Sequence, residues 1–322
     1  MTVARPARAT GLPSAFPGNG APVDGYEGDR TDGFPEVPGV EHRFVDAGGL
    51  RTHVAEAGEG EPIVMLHGWP QHWYLWRRVI PLLAPHARVI CPDLRGFGWT
   101  DVPTTGYSAH TMAGDVLALV DALGLQRVGL VGHDWGGWIG FLLCLDRPER
   151  ITRFVALGVV PPWPSRDART LLHIWRIGYQ IPLSLPYVGR AAVDRGLARL
   201  TLRRGGPFRE EELEAFGRRL RGDRARATES LYRNFLLRDA PAVAAGRYAG
   251  RPLEVPTLLV VGQHDPVVPV RLVHDQAARV DLLDVEIVAG AAHFIVDESP
   301  ELVSDRVLRL LAPGATSEAV AR

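Results

Sequence analysis

Beyond residue 40 the apolar positions follow two periods that alternate along the chain. "HRFVDAGGLRTHVAEAG" carries two short alternating runs on either side of Gly48 and Gly49, which predicts a β-hairpin. In "PIVMLHGWP" the run Ile63 to Leu66 is continuously apolar, the pattern of a strand buried on both faces. "WYLWRRVIPLLA" has helical spacing, "RVICPD" reads as a strand, and "TMAGDVLALVDALG" is an amphipathic helix closed by Gly124. A strand at "RVGLVG", a helix through "WIGFLLCLD" and a strand at "ITRFVALGVV" follow. Strand and helix taking turns in this way predict an α/β fold, a mostly parallel sheet with helices on both faces.

The rhythm breaks at Pro161 and Pro162. Residues 161–245 contain helix-like segments and no convincing strand, and their many charges read as a solvated helical face. The alternation resumes with a strand at "TLLVVG", a helix, a strand at "VEIVAG" and a last helix through "PELVSDRVLRLLA". Residues 1–40, rich in Pro, Gly and Ala, read as a flexible arm or a strap over the core. The expected organisation is therefore an arm at 1–40, a core at 41–160 and 246–314, a helical cap inserted at 161–245, and a tail at 315–322.

Composition changes this picture little. With 322 residues, 46% of them hydrophobic, the chain can bury one large core. A formal net charge of −1 provides no basic field for nucleic acid or an anionic membrane. Cys91 and Cys144 lie in apolar stretches and read as small buried hydrophobes, not as a disulfide or metal framework. No run is apolar enough to span a bilayer, and the N-terminus lacks the order of a signal peptide. The expectation is a cytoplasmic monomer or homodimer that acts on a small molecule and needs neither metal nor cofactor.

The chemistry concentrates at "VGLVGHDWGGWIG", Val128 to Gly140. A strand, a glycine-pinched turn and a helix make a nucleophile elbow, with Asp134 where a serine would be more familiar. Gly132 and Gly136 keep the crowded positions small, and the helix dipole favours an ionised Asp134. The turn alone equally suits a helix cap. The rest of the chain provides a reason to prefer the elbow. "GQHDPVVP" places Asp265 after a late strand and "GAAHFIVDESP" places His293 after the last one, in the chain order of an elbow nucleophile, its acid and its base. His264 is a bystander. "HGWP", His67 to Pro70, can direct the Trp69 backbone N–H at the elbow, which with that of Trp135 makes an oxyanion hole. His67 is also a candidate substrate contact. An ionised aspartate needs no base in order to attack, which suits displacement at a saturated carbon followed by hydrolysis of the resulting ester. The leaving group is then an epoxide oxygen, which wants an O–H donor, or a halide, which wants N–H donors such as indole.

"HGWP", "PDLRGFG", "GHDWGGW", "YRN", "HD" at Asp265 and "GAAHF" together resemble the α/β-hydrolase superfamily over residues 41 to 312, and within it the epoxide hydrolase branch. The resemblance implies hydrolysis of an uncharged, mainly apolar epoxide to a vicinal diol. It also implies a helical cap whose Tyr232 hydrogen-bonds the epoxide oxygen. The branch usually carries a second cap tyrosine. Tyr179 is the candidate, Trp175 its rival, and His173 and Tyr187 are weaker. Trp69, Trp73, Trp135, Trp163 and Trp175 are available to line the cavity. With Trp135 and Trp175 as indole donors the same triad would make a haloalkane dehalogenase. A protein that has kept the fold only to bind ligands ranks lower, because no triad member is missing.

Overall fold

The computed structural model describes residues 33–163, 178–278 and 280–311. Eight strands form one sheet: β1 (Glu41–Ala47), β2 (Leu50–Ala57), β3 (Pro62–Leu66), β4 (Arg88–Pro92), β5 (Val128–His133), β6 (Ile151–Leu157), β7 (Thr257–Gly262) and β8 (Leu283–Val288), in the order β1-β2-β4-β3-β5-β6-β7-β8. β1 and β2 pair antiparallel from Glu41↔Glu56 to Ala47↔Leu50. Gly48 and Gly49 both have positive φ, 64° and 85°, as a two-residue hairpin turn of this hand demands. β2 meets β4 antiparallel, and every other pairing is parallel. β3 lies between β4 and β5, so the chain leaves it in one direction and returns on its other side. That reversal opens a crevice above the carboxyl ends of β3 and β5, where open α/β sheets hold their ligands.

Two apolar layers cover the sheet. One holds the helices Ala109–Ala122 and Trp135–Asp146, and the other packs around Trp73, Trp76 and the helix Pro300–Leu311. In Trp135–Asp146 every residue but Asp146 is buried, so this helix is apolar all round because protein surrounds it. Ser108 caps Ala109–Ala122 by accepting from the Thr111 N–H, and Gly124 follows its end at φ 71°.

Two expectations change, and the described end of the arm takes the strap alternative. "WYLWRRVIPLLA" is not one helix but a 3₁₀ segment, Trp73–Arg78, followed by a single α turn, Ile80–Leu83. Pro81 cannot donate the hydrogen bond that would carry a helix through this point. After β7 the described residues form turns and one 3₁₀ segment, Val270–Leu272, where a helix was expected; Pro266 and Pro269 interrupt the start of that stretch. The end of the arm packs firmly. Phe34, Val37 and Val40 recur every third residue and lie against the core, with the Phe34 ring stacked on His42 at 4.1 Å and on His53 at 4.7 Å.

Between β6 and β7 the described chain is helical: Gln180–Ser184, Val188–Asp194, Leu197–Gly205, Glu210–Arg218 and Asp223–Asn234, a π-helical turn Phe235–Asp239, and Ala240–Ala244. The indole of Trp163 donates to the Tyr248 carbonyl at 2.9 Å and so ties the two linkers of this cap together.

Candidate active site

Asp134 follows β5 at φ 50° and ψ −113°, a backbone conformation that L-residues avoid. Its N–H donates to Leu157 O and its carbonyl accepts from Trp138 N–H, both at 3.0 Å, which pins the strained residue on both sides. A Cβ at Gly136 would strike the Leu66 carbonyl, so only glycine lets the helix approach β3 this closely. Asp134 Oδ2 accepts from the Trp69 N–H at 2.9 Å, and the Trp135 N–H is a second donor to the carboxylate. The two backbone N–H groups expected to form an oxyanion hole thus both meet the Asp134 carboxylate.

His293 Nδ1 and Asp265 Oδ2 are 2.9 Å apart, and Asp265 Oδ1 accepts from the N–H groups of Val267 and Val268 at 2.7 and 2.9 Å. With Nδ1 engaged, Nε2 is the nitrogen left to work on a substrate. Burial pulls the His293 pKa down, but the charge and hydrogen bond of Asp265, together with the charge of Asp134, outweigh it and raise it to about 9. Burial pushes Asp134 up to about 6, against His293 and the two backbone donors. Asp265 is desolvated too, yet His293 holds it below the usual carboxylate range. At pH 7 the resting site is therefore an imidazolium between two carboxylates.

The helix dipole suggested an ionised Asp134; burial makes that ionisation depend on His293. If Asp134 attacks as a carboxylate, protonation removes the attacking group, and the rate of any ester formation on it is expected to fall as pH drops through about 6. In His293→Ala the cation that favours the carboxylate is gone, and this acid limb is expected to move to higher pH. Single-turnover alkylation rates across a pH series check both the limb and the direction of its shift.

Tyr232, on Asp223–Asn234, is 1% exposed, and its ring meets Trp69 and Trp135 edge-on at 5.6 and 5.3 Å. Tyr179 lies against it at 6.3 Å; the residue as a whole is 40% exposed, but the hydroxyl turns inward to hydrogen-bond that of Tyr232 and sense the charge of Asp134. The Trp135 indole is a donor to Tyr232. Burial raises both phenols above the ordinary tyrosine range, so both remain protonated donors at any physiological pH. Tyr187 is 84% exposed and points away. Trp175 and His173 lie outside the described residues.

A family model described as "alpha/beta hydrolase fold" matches residues 61–300, cap included. The chain belongs to the α/β-hydrolase family. It is 32% identical over 287 residues to a soluble epoxide hydrolase of Corynebacterium sp. (strain C12), covering 85% of this chain and 98% of that one. The crystal structure of an epoxide hydrolase from Vigna radiata matches with a TM-score of 0.73 at 30% identity, over 84% of this chain and 97% of that one. A shorter match, 38% identical over 130 residues, joins 39% of this chain to 43% of a fluoroacetate dehalogenase from Burkholderia.

Three residues do not take their expected places in this α/β-hydrolase. His67 is buried with both ring nitrogens engaged, Nδ1 with Gly68 O at 3.1 Å and Nε2 with the Leu94 N–H at 3.0 Å. It shapes the "HGWP" loop and has no nitrogen left for a substrate. Trp73 is fully buried in the layer on the far side of the sheet, stacked edge-on to His42, and lines no cavity. Trp163 lines a separate cavity of about 450 Å³ at the base of the cap, to which no triad residue contributes.

Other residues carry structure that the sequence concealed. Asp93, at the end of β4, accepts from the backbone N–H groups of Trp73 and Trp99 and pairs with His53, which holds its carboxyl below the usual range despite burial. Trp99 seats the cap: the Arg219 guanidinium lies 4.5 Å over its ring, and Arg219 and Arg224 both donate to Gly98 O. His133 Nε2 donates to the His293 carbonyl at 2.9 Å and fixes the loop of the base. A histidine directly before the nucleophile was the available signal for that contact.

Proposed function

We propose that this protein is an epoxide hydrolase that converts an uncharged, mainly apolar epoxide into a vicinal diol through an alkyl ester on Asp134. One observation carries the reading: a buried carboxylate held in an oxyanion hole by the Trp69 N–H, beneath a roof of two neutral phenols. An Asp134 oxygen attacks a ring carbon, the C–O bond of the epoxide breaks, and the phenols stabilise the alkoxide. Ester formation removes the charge of Asp134 and with it one of the interactions that keep His293 cationic. The imidazolium proton then leaves for the new hydroxyl by way of a phenol, and His293 is neutral when water arrives. His293 takes a proton from that water, which attacks the ester carbonyl in the oxyanion hole; collapse releases the diol and restores the resting ion pair.

A second reading, dehalogenation of a haloalkane, has one observation in its favour: the Trp69 indole N–H is buried with no partner among the described residues. Hydroxyl donors opposite the nucleophile favour the epoxide, because an opening ring develops an alkoxide that must be protonated. Tyr232→Phe is expected to lower epoxide turnover about 10²-fold and Tyr179→Phe to lower it less; together they approach about 10⁴-fold. Diol formation from a panel of aryl and alkyl epoxides, with halide release from matched haloalkanes as the other arm, tests the reading. Halide release that survives both tyrosine changes, without diol formation by the wild type, would transfer the chemistry to the indoles.

A further inference from the structure

Asp297 lies four residues beyond His293, in the short helix Ile295–Glu298, and is buried. Its Oδ2 accepts from Gln71 Nε2 at 3.0 Å and its Oδ1 from Arg77 Nη1 at 2.6 Å. Gln71 belongs to the oxyanion loop: its N–H donates to Gly68 O, closing the turn that presents Trp69. The Nε of Arg77 continues to Glu212 Oε1 at 3.0 Å, on the cap helix Glu210–Arg218. Arg78 braces the same two points, donating to Glu212 Oε1 at 3.1 Å and to the Asp297 carbonyl at 3.0 Å. The second oxygen of Glu212 accepts from the Arg209 N–H at 2.8 Å, so the carboxylate is fixed on the cap side too. Next to His293, Phe294 packs with the cap residues Leu202, Leu213 and Phe216.

We infer that Glu212 is a positioning residue for ester hydrolysis: through Arg77 and Asp297 the seated cap holds the His293 loop and the Trp69 loop in register. Buried ion pairs of this kind seldom add much net stability, because desolvation offsets their attraction. What they supply is direction, since each hydrogen bond fixes an angle that an apolar contact leaves loose. The network reaches the His293 loop, whose imidazole acts as a base only in hydrolysis, and the Trp69 loop, which serves both steps and keeps its own bond to Asp134 at 2.9 Å. Ester formation depends on Asp134 and on Tyr232, which hangs from a different cap helix, Asp223–Asn234. Loss of Glu212 should therefore slow the second step and spare the first.

This inference rests on the ester reading, and its test separates the two. Full-length Glu212→Gln is mixed in excess with styrene oxide, quenched at intervals and weighed intact. The Asp134 ester is expected to form at the wild-type rate and to decay on the order of 10-fold more slowly. In steady state kcat and KM fall together while kcat/KM holds, the signature of a slowed second step. Asp297→Asn cuts the same link from the core side and should reproduce the pattern, and the double variant should be no slower than the worse single one. Arg78→Gln, a milder cut at a partly exposed residue, serves if either variant melts below the assay temperature. Unchanged decay, or a fall in kcat/KM with no accumulation of ester, overturns the inference and leaves Glu212 a structural cap contact. His293→Ala run alongside reports on the ester itself: if it accumulates ester and Glu212→Gln does not, only the positioning role fails.

Discussion

Replacing His293 with alanine is expected to lower turnover by about 10²–10⁴-fold and to leave the protein carrying one substrate molecule on Asp134. In the proposed mechanism the two half-reactions use different residues, and this change divides them. Asp134 attacks without a base, and the Trp69 and Trp135 N–H groups still favour its carboxylate when His293 is gone, although its pKa then rises further and the adduct forms fastest above neutral pH. The ester that forms then faces water with no group to activate it. Intact mass should rise by the whole mass of the epoxide, and peptide mapping should place the addition at Asp134. A gain of the alkyl group alone, with halide in solution, would make the protein a dehalogenase. With no adduct from any epoxide or haloalkane, and an inert wild type, the reading of a fold kept for binding would gain ground.

Asp134→Asn is expected to abolish the adduct and lower turnover by about 10⁴-fold or more, while the protein becomes more stable. The amide has the carboxylate's shape but no charge with which to attack a saturated carbon. Stability moves the other way because the folded-state pKa of Asp134, about 6, lies above its unfolded value of 3.8. The folded protein therefore binds this proton more tightly than the unfolded chain. The resulting penalty is absent below the unfolded pKa, grows as pH rises, and is complete above about pH 6. A neutral amide removes it, a gain on the order of 1–3 kcal/mol at neutral pH. Thermal melts of both proteins at pH 7 and pH 5 check the sign: the gap should narrow at the lower pH. An unchanged gap would mean that the charge of His293 already offsets the burial of Asp134 in full.

Both arguments depend on features that differ in how openly the sequence displays them. Asp134, Asp265 and His293 are legible because each follows an apolar run that can only be a buried strand, and strand ends in a parallel sheet converge on one edge. The glycines around Asp134 are legible for a similar reason, since a turn this tight excludes a Cβ. Pro81, Pro266 and Pro269 broke the helical pattern at positions where hydrophobic spacing alone still suggested helix. His67 and Trp73 were misplaced because residue type says what a side chain can do and not which way it faces. Asp93, His133 and Trp99 show no role in the sequence because His53, His293 and Arg219, whose groups they meet, lie 40, 160 and 120 residues away.

By itself the sequence determined the order of the strands, the candidate nucleophile and the chemistry a carboxylate in that position can perform. These follow from local rules: hydrophobic period, the steric demand of a tight turn, and the charge of one side chain. Only the tertiary structure decided that Asp134 depends on His293 for its ionisation, that two phenols form the roof, and that Glu212, Arg77 and Asp297 join the cap to the catalytic loops. Each of these is set by burial and by distances between residues far apart in the chain. Burial changes the energy of a charge by amounts that no window of sequence contains.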